Sequence, residues 1–431
     1  MLRIVYTSVS PKIWYRSAPG WTDNAKRGEN VALQGLTHIS EAAVTALPTP
    51  SSPMPSVPPP TPAPPAVPAA PPAPLEFPLS WLLEFAPPPI QYRAAIEVAR
   101  LPLTGSKSFS ALPYAYQPAI ELALSQLADG TWNHNMLAIP TSRSERYKGV
   151  GTISAVRRLL EYGWDRESPP LLQARRVLFR LLAEDDDPAY LYELGSKNKM
   201  ELAMVRHGRA VLREAAAAAL AQAGYENDPR LRGAARRILE RVDAFLKSPL
   251  AQKPFIRVGN HHVLAPGASP PSVHTLIMLA HMPLYRSEHY DLLDRLYTQL
   301  SQPQPRQEAA TMVGAKIVLE PHLVLGDPLP HRNAADADMP AALFWLEIFA
   351  RLGFLRRNDG WTKLYERLID DCDSGGVWHP PKRTATMRSD NPYAWPGFPL
   401  ELQATAEERW SDVTFRLGVI ARHSGRPINL T

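Results

Sequence analysis

Fully apolar and half-apolar helical segments alternate along most of this chain. Residues 201–223 contain the small apolar run 215–219, which other helices can surround, whereas residues 230–246 have apolar side chains on one helical face only. The same order recurs in two more pairs, 273–282 with 289–300 and 341–354 with 361–371. A ring of helical hairpins needs this order, because buried helices line the ring and the others face water. The pattern therefore predicts an all-α fold, an α/α toroid; a stacked solenoid, the rival architecture, usually repeats every 33 to 47 residues or so.

A turn sequence at the end of one helical segment supports a repeated fold. The helical run of residues 116–127 stops at Gln126, and Gly130 and Trp132 follow it. Glycine supplies the left-handed backbone that ends a helix, and an indole ring can fold back over the exposed helix end. The amide of Gln126 can then bond free backbone groups of the turn. A weaker copy with the same offsets, counted from Leu122, consists of Leu368, Cys372, Gly376 and Trp378. It predicts an internal repeat.

The distribution of proline divides the chain into three parts. Of the 46 prolines, fifteen fall between Pro48 and Pro78, in an Ala, Ser and Thr background with almost no charge. Such a segment has too little apolar surface to offset its ordering entropy. We therefore predict a Pro-rich linker over 48–79, preceded by a disordered N-terminal arm over 1–47 and followed by the toroid domain over 80–431. The arm is a candidate attachment point for a protein partner.

The net charge and the cysteine content indicate the compartment in which the protein works and the classes of partner that it binds. The net charge is only +5, and the arginines lie on helix faces and form no basic tail, so we predict no nucleic-acid partner. The single cysteine suits a reducing compartment. The longest apolar run, 341–354, carries Glu347 and Arg351, which argues against a membrane span but leaves room for peripheral membrane contact. The N-terminus lacks an apolar signal core, and we predict a cytoplasmic protein.

The turn residues also carry a family resemblance. Gln126, Gly130 and Trp132, with Leu122 upstream, resemble the QW repeat of squalene and other terpene cyclases. Those cyclases share the α/α-toroid fold with the β subunits of protein prenyltransferases. Residues 81–98 also look like the start of bacterial cyclase-like toroid proteins of unassigned activity. The resemblance covers the organisation of residues 80–425. It implies a hydrophobic small-molecule ligand, an isoprenoid, in the lumen, with proton-initiated cyclisation and without a cofactor.

Two aspartates are the catalytic residues that this resemblance implies. The stretch from Asp336 to Ala342 is similar to the D-x-D-D-T-A motif of class II terpene cyclases, whose middle carboxylic acid protonates an alkene. Asp338 takes that position, and Asp336 is the neighbouring carboxylate that would raise its pKa. Met339 and Pro340 stand where the family has Asp and Thr. The alternative is structural: Asp shortly before Pro at the head of an apolar helix is an N-cap arrangement.

Five more residues are predicted to contact the ligand. Trp345, Tyr285 and Trp395 are candidate lumen aromatics, whose ring faces would stabilise a carbocation. His274 and His281 lie seven residues apart, on one face of a very apolar helix. Both histidines therefore point into the lumen or fill the core.

Asp370 and Cys372 resemble the D-x-C half of the prenyltransferase zinc site, since a carboxylate and a thiolate two residues apart can reach one ion. A histidine is also required. His379 is close in sequence, but the family takes its histidine from much further along the chain, where only His423 remains. We therefore expect no bound metal, with Asp370 and Cys372 as weak candidates only.

Two other functions compete with the isoprenoid function. The loop residues Asn260, His261 and His262 would serve as charge neutraliser and base in a polysaccharide lyase, or would simply lie hydrogen-bonded on the surface. A non-catalytic interaction scaffold, tethered by the Pro-rich arm, is the third possibility. The character of the lumen distinguishes the three functions. Binding of an isoprenoid requires a deep, apolar lumen, and binding of a polysaccharide requires a wide, charged one. In an interaction scaffold the lumen is filled with side chains.

Overall fold

The computed structural model of this protein describes residues 72–102, 107–141, 146–194, 201–331, 333–379, 391–400 and 406–431. The predicted arm, 1–47, and residues 48–71 of the predicted linker lie outside the described residues. The described part is mostly helical, which confirms the predicted class, and it adds three small two-stranded sheets. None of its helices combines the length and apolarity that crossing a membrane requires.

Sixteen α-helices are seen in the described ranges, interrupted by a π-helical segment, Ala94–Val98, and by short 3-10 turns. The helices are α1 (Leu79–Phe85), α2 (Pro88–Arg93), α3 (Lys107–Ser110), α4 (Leu112–Ala115), α5 (Gln117–Leu124), α6 (Thr152–Glu161), α7 (Pro169–Leu181), α8 (Leu202–Gln222), α9 (Pro229–Lys247), α10 (Val273–Ala280), α11 (Pro283–Ser287), α12 (Tyr290–Leu300), α13 (Ala334–Ala337), α14 (Met339–Leu352), α15 (Asp359–Asp370) and α16 (Ala406–Ser424). Proline opens several of them, because its fixed φ and missing N–H suit the first helical turn.

The described residues also contain six short strands, one of which lies within the predicted linker. They are β1 (Leu75–Phe77), β2 (Phe255–Val258), β3 (His261–Leu264), β4 (Ala310–Val313), β5 (Lys316–Leu319) and β6 (Ile428–Leu430). β2 with β3 and β4 with β5 form antiparallel hairpins, one between α9 and α10 and one between α12 and α13, whereas β1 pairs with β6 in parallel. The fold thus begins inside the predicted linker, because Leu75 and Phe77 are apolar, alternate, and are almost fully buried.

The buried helices contact one another in succession. The π-helical segment packs on α16, α16 on α14, α14 on α10, α10 on α8, and α8 on α6. Arg93, next to the π-helical segment, bonds to Glu161 at the end of α6. The half-buried helices flank this series: α7 lies against α6 and α8, and α9 lies against α8 and α10. The predicted alternation of buried and half-buried helices is therefore present.

The turn after α5 has the predicted geometry. The indole of Trp132 is fully buried, and its Nε1 donates to the carbonyl of Leu122 at 2.8 Å, which covers the end of α5. Gly130 has a φ of +84°. The amide Nε2 of Gln126 donates to the carbonyls of Gly130 at 3.1 Å and Pro170 at 2.9 Å. The glutamine thus ties the turn to the start of α7.

The predicted second copy of this turn follows α15. Gly376 has a φ of +87°, and Trp378 is fully buried. In both copies the backbone N–H of the tryptophan donates to a threonine hydroxyl of the next buried helix, to Thr152 at 3.1 Å and to Thr414 at 2.9 Å. The internal repeat therefore exists as a backbone feature. Its indole differs, since Nε1 of Trp378 is buried without a hydrogen-bond partner in the described residues.

The C-termini of four buried helices, α6, α8, α14 and α16, show a further repeat that we did not predict. In each, a glycine in the left-handed region follows the helix, its N–H bonds to the carbonyl three residues back, and the next N–H bonds to the carbonyl five residues back. These two backbone hydrogen bonds together form a Schellman cap. The pairs are Gly163 and Trp164, Gly224 and Tyr225, Gly353 and Phe354, and Gly425 and Arg426.

Candidate functional site

A group of buried charges joins the buried helices, and we call it the central charge network. Its members are Arg93, Glu161, Gln222, Glu347, Arg351 and Arg416. Glu161 accepts from Arg93 and from Arg416 at 2.6 Å each, and from the amide of Gln222 at 2.7 Å. Glu347 accepts from Arg416 at 2.8 Å and from Arg351 at 2.9 Å. Five separate elements of the fold thus meet through charge-assisted hydrogen bonds.

Mutual pairing keeps these carboxylates ionised. Burial alone would raise the pKa of Glu161, but the charges of Arg93 and Arg416 hold it well below its usual range. Burial likewise opposes ionisation of Glu347, and the charges of Arg351 and Arg416 lower its pKa to about 2. The buried carboxylates of this network are therefore held as ion pairs.

Next to this network, four polar side chains meet near the N-terminal ends of α8 and α10. They form the His–Glu cluster: His207, His274, Glu320 and His322. Glu320 is 2% exposed, and its carboxylate oxygens lie 3.1 Å from Nε2 of His207 and 3.5 Å from Nδ1 of His322. None of these atoms, nor Nδ1 of His274, has an aligned hydrogen bond to the described residues. Buried polar atoms nearly always have hydrogen bonds, so several without an aligned hydrogen bond in one place indicate a site.

Tyr393 completes the cluster from a loop that two buried arginines hold in place. The rings of His274 and Tyr393 are 5.5 Å apart, edge to face, and the rings of His274 and His322 are 6.2 Å apart. Arg158 donates to the carbonyl of Trp395 at 2.8 Å and also to that of Pro399. Arg416 donates to the carbonyl of Gly397. The position of Tyr393 is therefore coupled to the central charge network.

The same surroundings favour the uncharged forms of His274, His322 and Tyr393. Burial, with the charges of His322 and Arg157 added, lowers the pKa of His274 well below its ordinary value. Burial also lowers the pKa of His322 and raises that of Tyr393. A neutral imidazole can take a proton and a neutral phenol can give one.

Arg157 links the cluster to the charge network. Its Nε donates to Oε1 of Gln222 at 2.9 Å, and its charge acts on His274. Burial lowers the pKa of Arg157 to about 10, so the guanidinium is still charged at neutral pH. Within the described residues its two terminal nitrogens have no hydrogen-bond partner, and they are not among the buried unpaired atoms. They are therefore available to a carboxylate.

Of the two predicted catalytic aspartates, Asp336 lies in α13 and Asp338 is the N-cap of α14. Asp338 is half-buried, and its Oδ1 accepts from the N–H of Ala341 at 3.0 Å, which is the bond of a helix N-cap. Asp336 is exposed and bonds to Arg367 at 2.5 Å. The capping interpretation therefore describes the geometry of Asp338, while its role as a proton donor stays a prediction.

The predicted aromatics lie in three different surroundings. Trp345 packs on Phe349, which stacks on Trp361 of α15 at 3.9 Å, so Trp345 lies on the face of α14 opposite Glu347. Tyr285 packs on His289 of α12's N-cap at 4.3 Å. Trp395 lies 5.1 Å from the guanidinium of Arg158. No ring contact joins the three predicted aromatics in the described part of the chain.

The predicted histidines divide between the two groups. His274 belongs to the His–Glu cluster, whereas Nδ1 of His281 donates to the carbonyl of Ile277 at 2.9 Å. Burial and the charge of Arg351 lower the pKa of His281 to about 3, which places it beside the central charge network. The two histidines thus lie at opposite ends of α10, His274 in its first turn and His281 as its C-cap, and each is associated with one of the two polar groups.

The weak metal candidates keep separate partners. The thiol of Cys372 points to the carbonyl of Leu368 at 3.8 Å, and burial raises its pKa to about 12. Asp370 is exposed, and His379 pairs with Asp373 at 2.8 Å. In the ranges that the structure describes, no three His, Cys, Asp or Glu side chains are arranged to hold a metal ion. The metal content of the protein remains a prediction.

Several residues of the site were missed at the level of sequence. They are Arg157, His207, Glu320, His322 and Tyr393. Their only local signal is a charge or a histidine among apolar neighbours, as with Arg157 in α6. The residues that the sequence suggested for a lyase were different ones. They are Asn260, His261 and His262, which lie at the exposed β2–β3 hairpin and are not part of the His–Glu cluster.

The depressed pKa values predict that the protein loses stability in mild acid. The pKa is lowered to about 3 in His281, to about 4 in His423 and to about 2 in Glu347. Each group binds a proton more readily in the unfolded state. Its contribution to the free energy of unfolding is therefore complete above its unfolded pKa and is lost as pH falls towards its folded pKa. Stability is therefore lost through the two histidines below about pH 6.5 and through Glu347 below about pH 4.5.

We therefore expect the urea midpoint to fall steadily from pH 7 to pH 4, and less steeply in His281→Gln. His262→Gln, which changes an exposed histidine, is the control and should follow the wild-type curve. A midpoint that is constant over this pH range would contradict the assignment.

Comparison of the chain with known protein families, with curated proteins and with solved structures found no match.

Proposed function

We propose that the protein is an α/α-toroid enzyme that cleaves an acidic polysaccharide by β-elimination. His274 is the base, Tyr393 the acid, and Arg157 the residue that holds the carboxylate of the sugar. The observation that carries the proposal is the contact of a neutral His274, whose Nδ1 has no hydrogen-bond partner in the described residues, with Tyr393 at 5.5 Å between ring centres. This is the polysaccharide-lyase alternative of the sequence, moved from the β2–β3 hairpin to the His–Glu cluster.

The succession of helix contacts supports the toroid. Six buried elements pack in order from the π-helical segment to α6, and the bond from Arg93 to Glu161 links the two ends of that order. Half-buried helices lie between them in sequence and against them in space. A ring of hairpins with inner and outer helices has these neighbours.

The chemistry assigns one task to each side chain. The guanidinium of Arg157 pairs with the sugar carboxylate and acidifies the hydrogen on the adjacent carbon. His274 removes that proton, the electron pair forms a carbon–carbon double bond, and the glycosidic bond on the neighbouring carbon breaks. The phenol of Tyr393 protonates the departing oxygen. Glu320 and His322 hold the arrangement through the contact of His322 with His274.

The alternative function, isoprenoid cyclisation, has weaker support. A carbocation needs a cavity lined with aromatic rings. Trp345, Tyr285 and Trp395 have separate neighbours, and the centre contains ion pairs. What favours cyclisation is the place of Asp338 at the head of the buried helix α14.

The test is an assay of the purified protein on a panel of uronate-containing polysaccharides, with neutral dextran as the substrate control. Elimination creates an unsaturated sugar, which is followed by its ultraviolet absorbance. We expect His274→Gln and Tyr393→Phe each to lower kcat by about 100-fold or more, because each removes a proton-transfer group. His262→Gln should keep full activity.

Three outcomes would contradict the proposal. They are the absence of unsaturated product from every uronate polymer, unchanged activity in His274→Gln, and loss of activity in His262→Gln alone. Linear isoprenoids, with and without diphosphate, form a second arm of the assay. A cyclised product that wild type makes and Asp338→Asn does not would establish the alternative, because asparagine caps a helix about as well as aspartate but cannot protonate an alkene.

A further inference from the structure

A cavity of about 530 Å³ opens on the surface between α7 and α9, and we call it the arginine cavity. It is lined by Arg175, Arg176, Phe179, Arg180 and Arg230. Cavities of this size take small organic molecules. The lining contains four guanidinium groups, one aromatic ring and no carboxylate, and none of these residues belongs to the proposed active site.

Two of the arginines are fixed by their own ion pairs. Arg180 donates to Asp185 and to Asp187 at 2.8 Å each. Arg230 bonds to Asp228 and lies over the ring of Phe179, 3.7 Å from its centre. These contacts hold Arg180 and Arg230 in place at the edge of the cavity, and the paired aspartates compensate most of their positive charge.

The other two arginines have donors to spare. Arg175 reaches the hydroxyl of Tyr225 at 3.3 Å and Glu167 only at 3.7 Å. Arg176 is exposed and makes no hydrogen bond or ion pair with any residue of the described ranges. Since the surrounding carboxylates are each bound to another guanidinium, a positive charge is left uncompensated at Arg176.

We propose that the arginine cavity binds a small phosphorylated molecule of nucleotide size. The planar guanidinium groups of Arg175 and Arg176 match the oxygens of a phosphate group and bind them through paired hydrogen bonds. The part-exposed ring of Phe179 provides an apolar wall for the rest of the ligand, such as a nucleobase. The ligand is therefore an anion with a flat, less polar portion.

The test is isothermal titration of the full chain with ATP, with pyrophosphate and with uncharged adenosine. We expect saturable binding of ATP and of pyrophosphate, and none of adenosine alone. Arg175→Gln and Arg176→Gln should each weaken both anions about tenfold. Phe179→Leu should weaken ATP and leave pyrophosphate unchanged. Arg236→Gln is the matched control, because Arg236 is an exposed arginine of α9 that pairs with Glu240 outside the cavity.

The proposal fails if neither anion binds at millimolar concentration, or if Arg236→Gln weakens binding as much as Arg176→Gln, which would indicate general charge attraction. Binding of pyrophosphate that equals that of ATP in wild type and in Phe179→Leu would remove the nucleotide and keep the phosphate. The variants leave the assay on polysaccharides unchanged, so this proposal and the proposed function fail separately.

Discussion

Arg416→Met is expected to lower the free energy of unfolding by about 3 to 5 kcal/mol, the usual cost of removing one partner from a buried ion pair. Arg416 is 3% exposed and donates to Glu161 and to Glu347 at the same time. Methionine fills much of the space but returns no charge. Two ionised carboxylates would then share the remaining arginines in a place that water does not reach.

The control for this prediction is Arg206→Met. Arg206 likewise donates two bonds to carboxylate oxygens, both of them on Asp186, but the arginine side chain is 62% exposed. An exposed pair contributes little, so this variant should change the free energy of unfolding by less than about 1 kcal/mol. Urea unfolding followed by circular dichroism measures both. Similar losses in the two variants would mean that burial of the network does not determine its contribution.

Gly376→Ala is expected to cost about 3 kcal/mol of stability, in two parts. The first is the left-handed backbone, with a φ of +87°, which is unfavourable for alanine by about 1 to 2 kcal/mol. The second is steric, because a Cβ at this position would overlap the backbone carbonyl of Glu76 in β1. Glu76 is held in register with Asn429 of β6, so the carbonyl cannot move aside freely.

Gly353→Ala separates the two parts. Gly353 has a φ of +76°, and an added Cβ would meet no atom within 4 Å. It should therefore lose only the backbone part, about 1 kcal/mol or somewhat more. The difference between the two variants in the urea midpoint measures the overlap at Glu76. Equal losses would show that β1 moves away from the turn at little cost.

The helices were predictable because their signals are local. Apolar periodicity placed the buried helices, and the cap of α14 followed from an aspartate shortly before a proline. The left-handed Gly130, the position of Trp132 over the helix end and the bonding of backbone groups by the amide of Gln126 were all predicted, whereas the hydrogen bond from the indole to Leu122 was not. β1 was not predicted, because three residues next to a Pro-rich run make a strand only when β6, at the far end of the described chain, lies beside them.

The candidate site was only partly predictable, for a related reason. His274 stood out as a histidine on an apolar helix, but nothing near it in sequence indicates Glu320, His322 or Tyr393. These residues come from loops that the fold brings to the ends of α8 and α10. Glu347 and Arg351 were noticed only as interruptions of an apolar run, since Arg416 of α16, the partner of Glu347 outside α14, is far away in sequence.

The pairing of β1 with β6 bears on how this protein is made. Asn429 bonds to Glu76 across 353 positions, and the N–H of Thr431 bonds to the carbonyl of Phe77. A ribosome adds about 5 to 20 residues per second, so β1 leaves the exit tunnel well before its partner strand exists. During that interval the apolar side chains of Leu75 and Phe77 have no strand to pair with. Co-translational chaperones that hold short apolar segments should therefore bind the nascent chain at β1 and release it only when synthesis reaches β6.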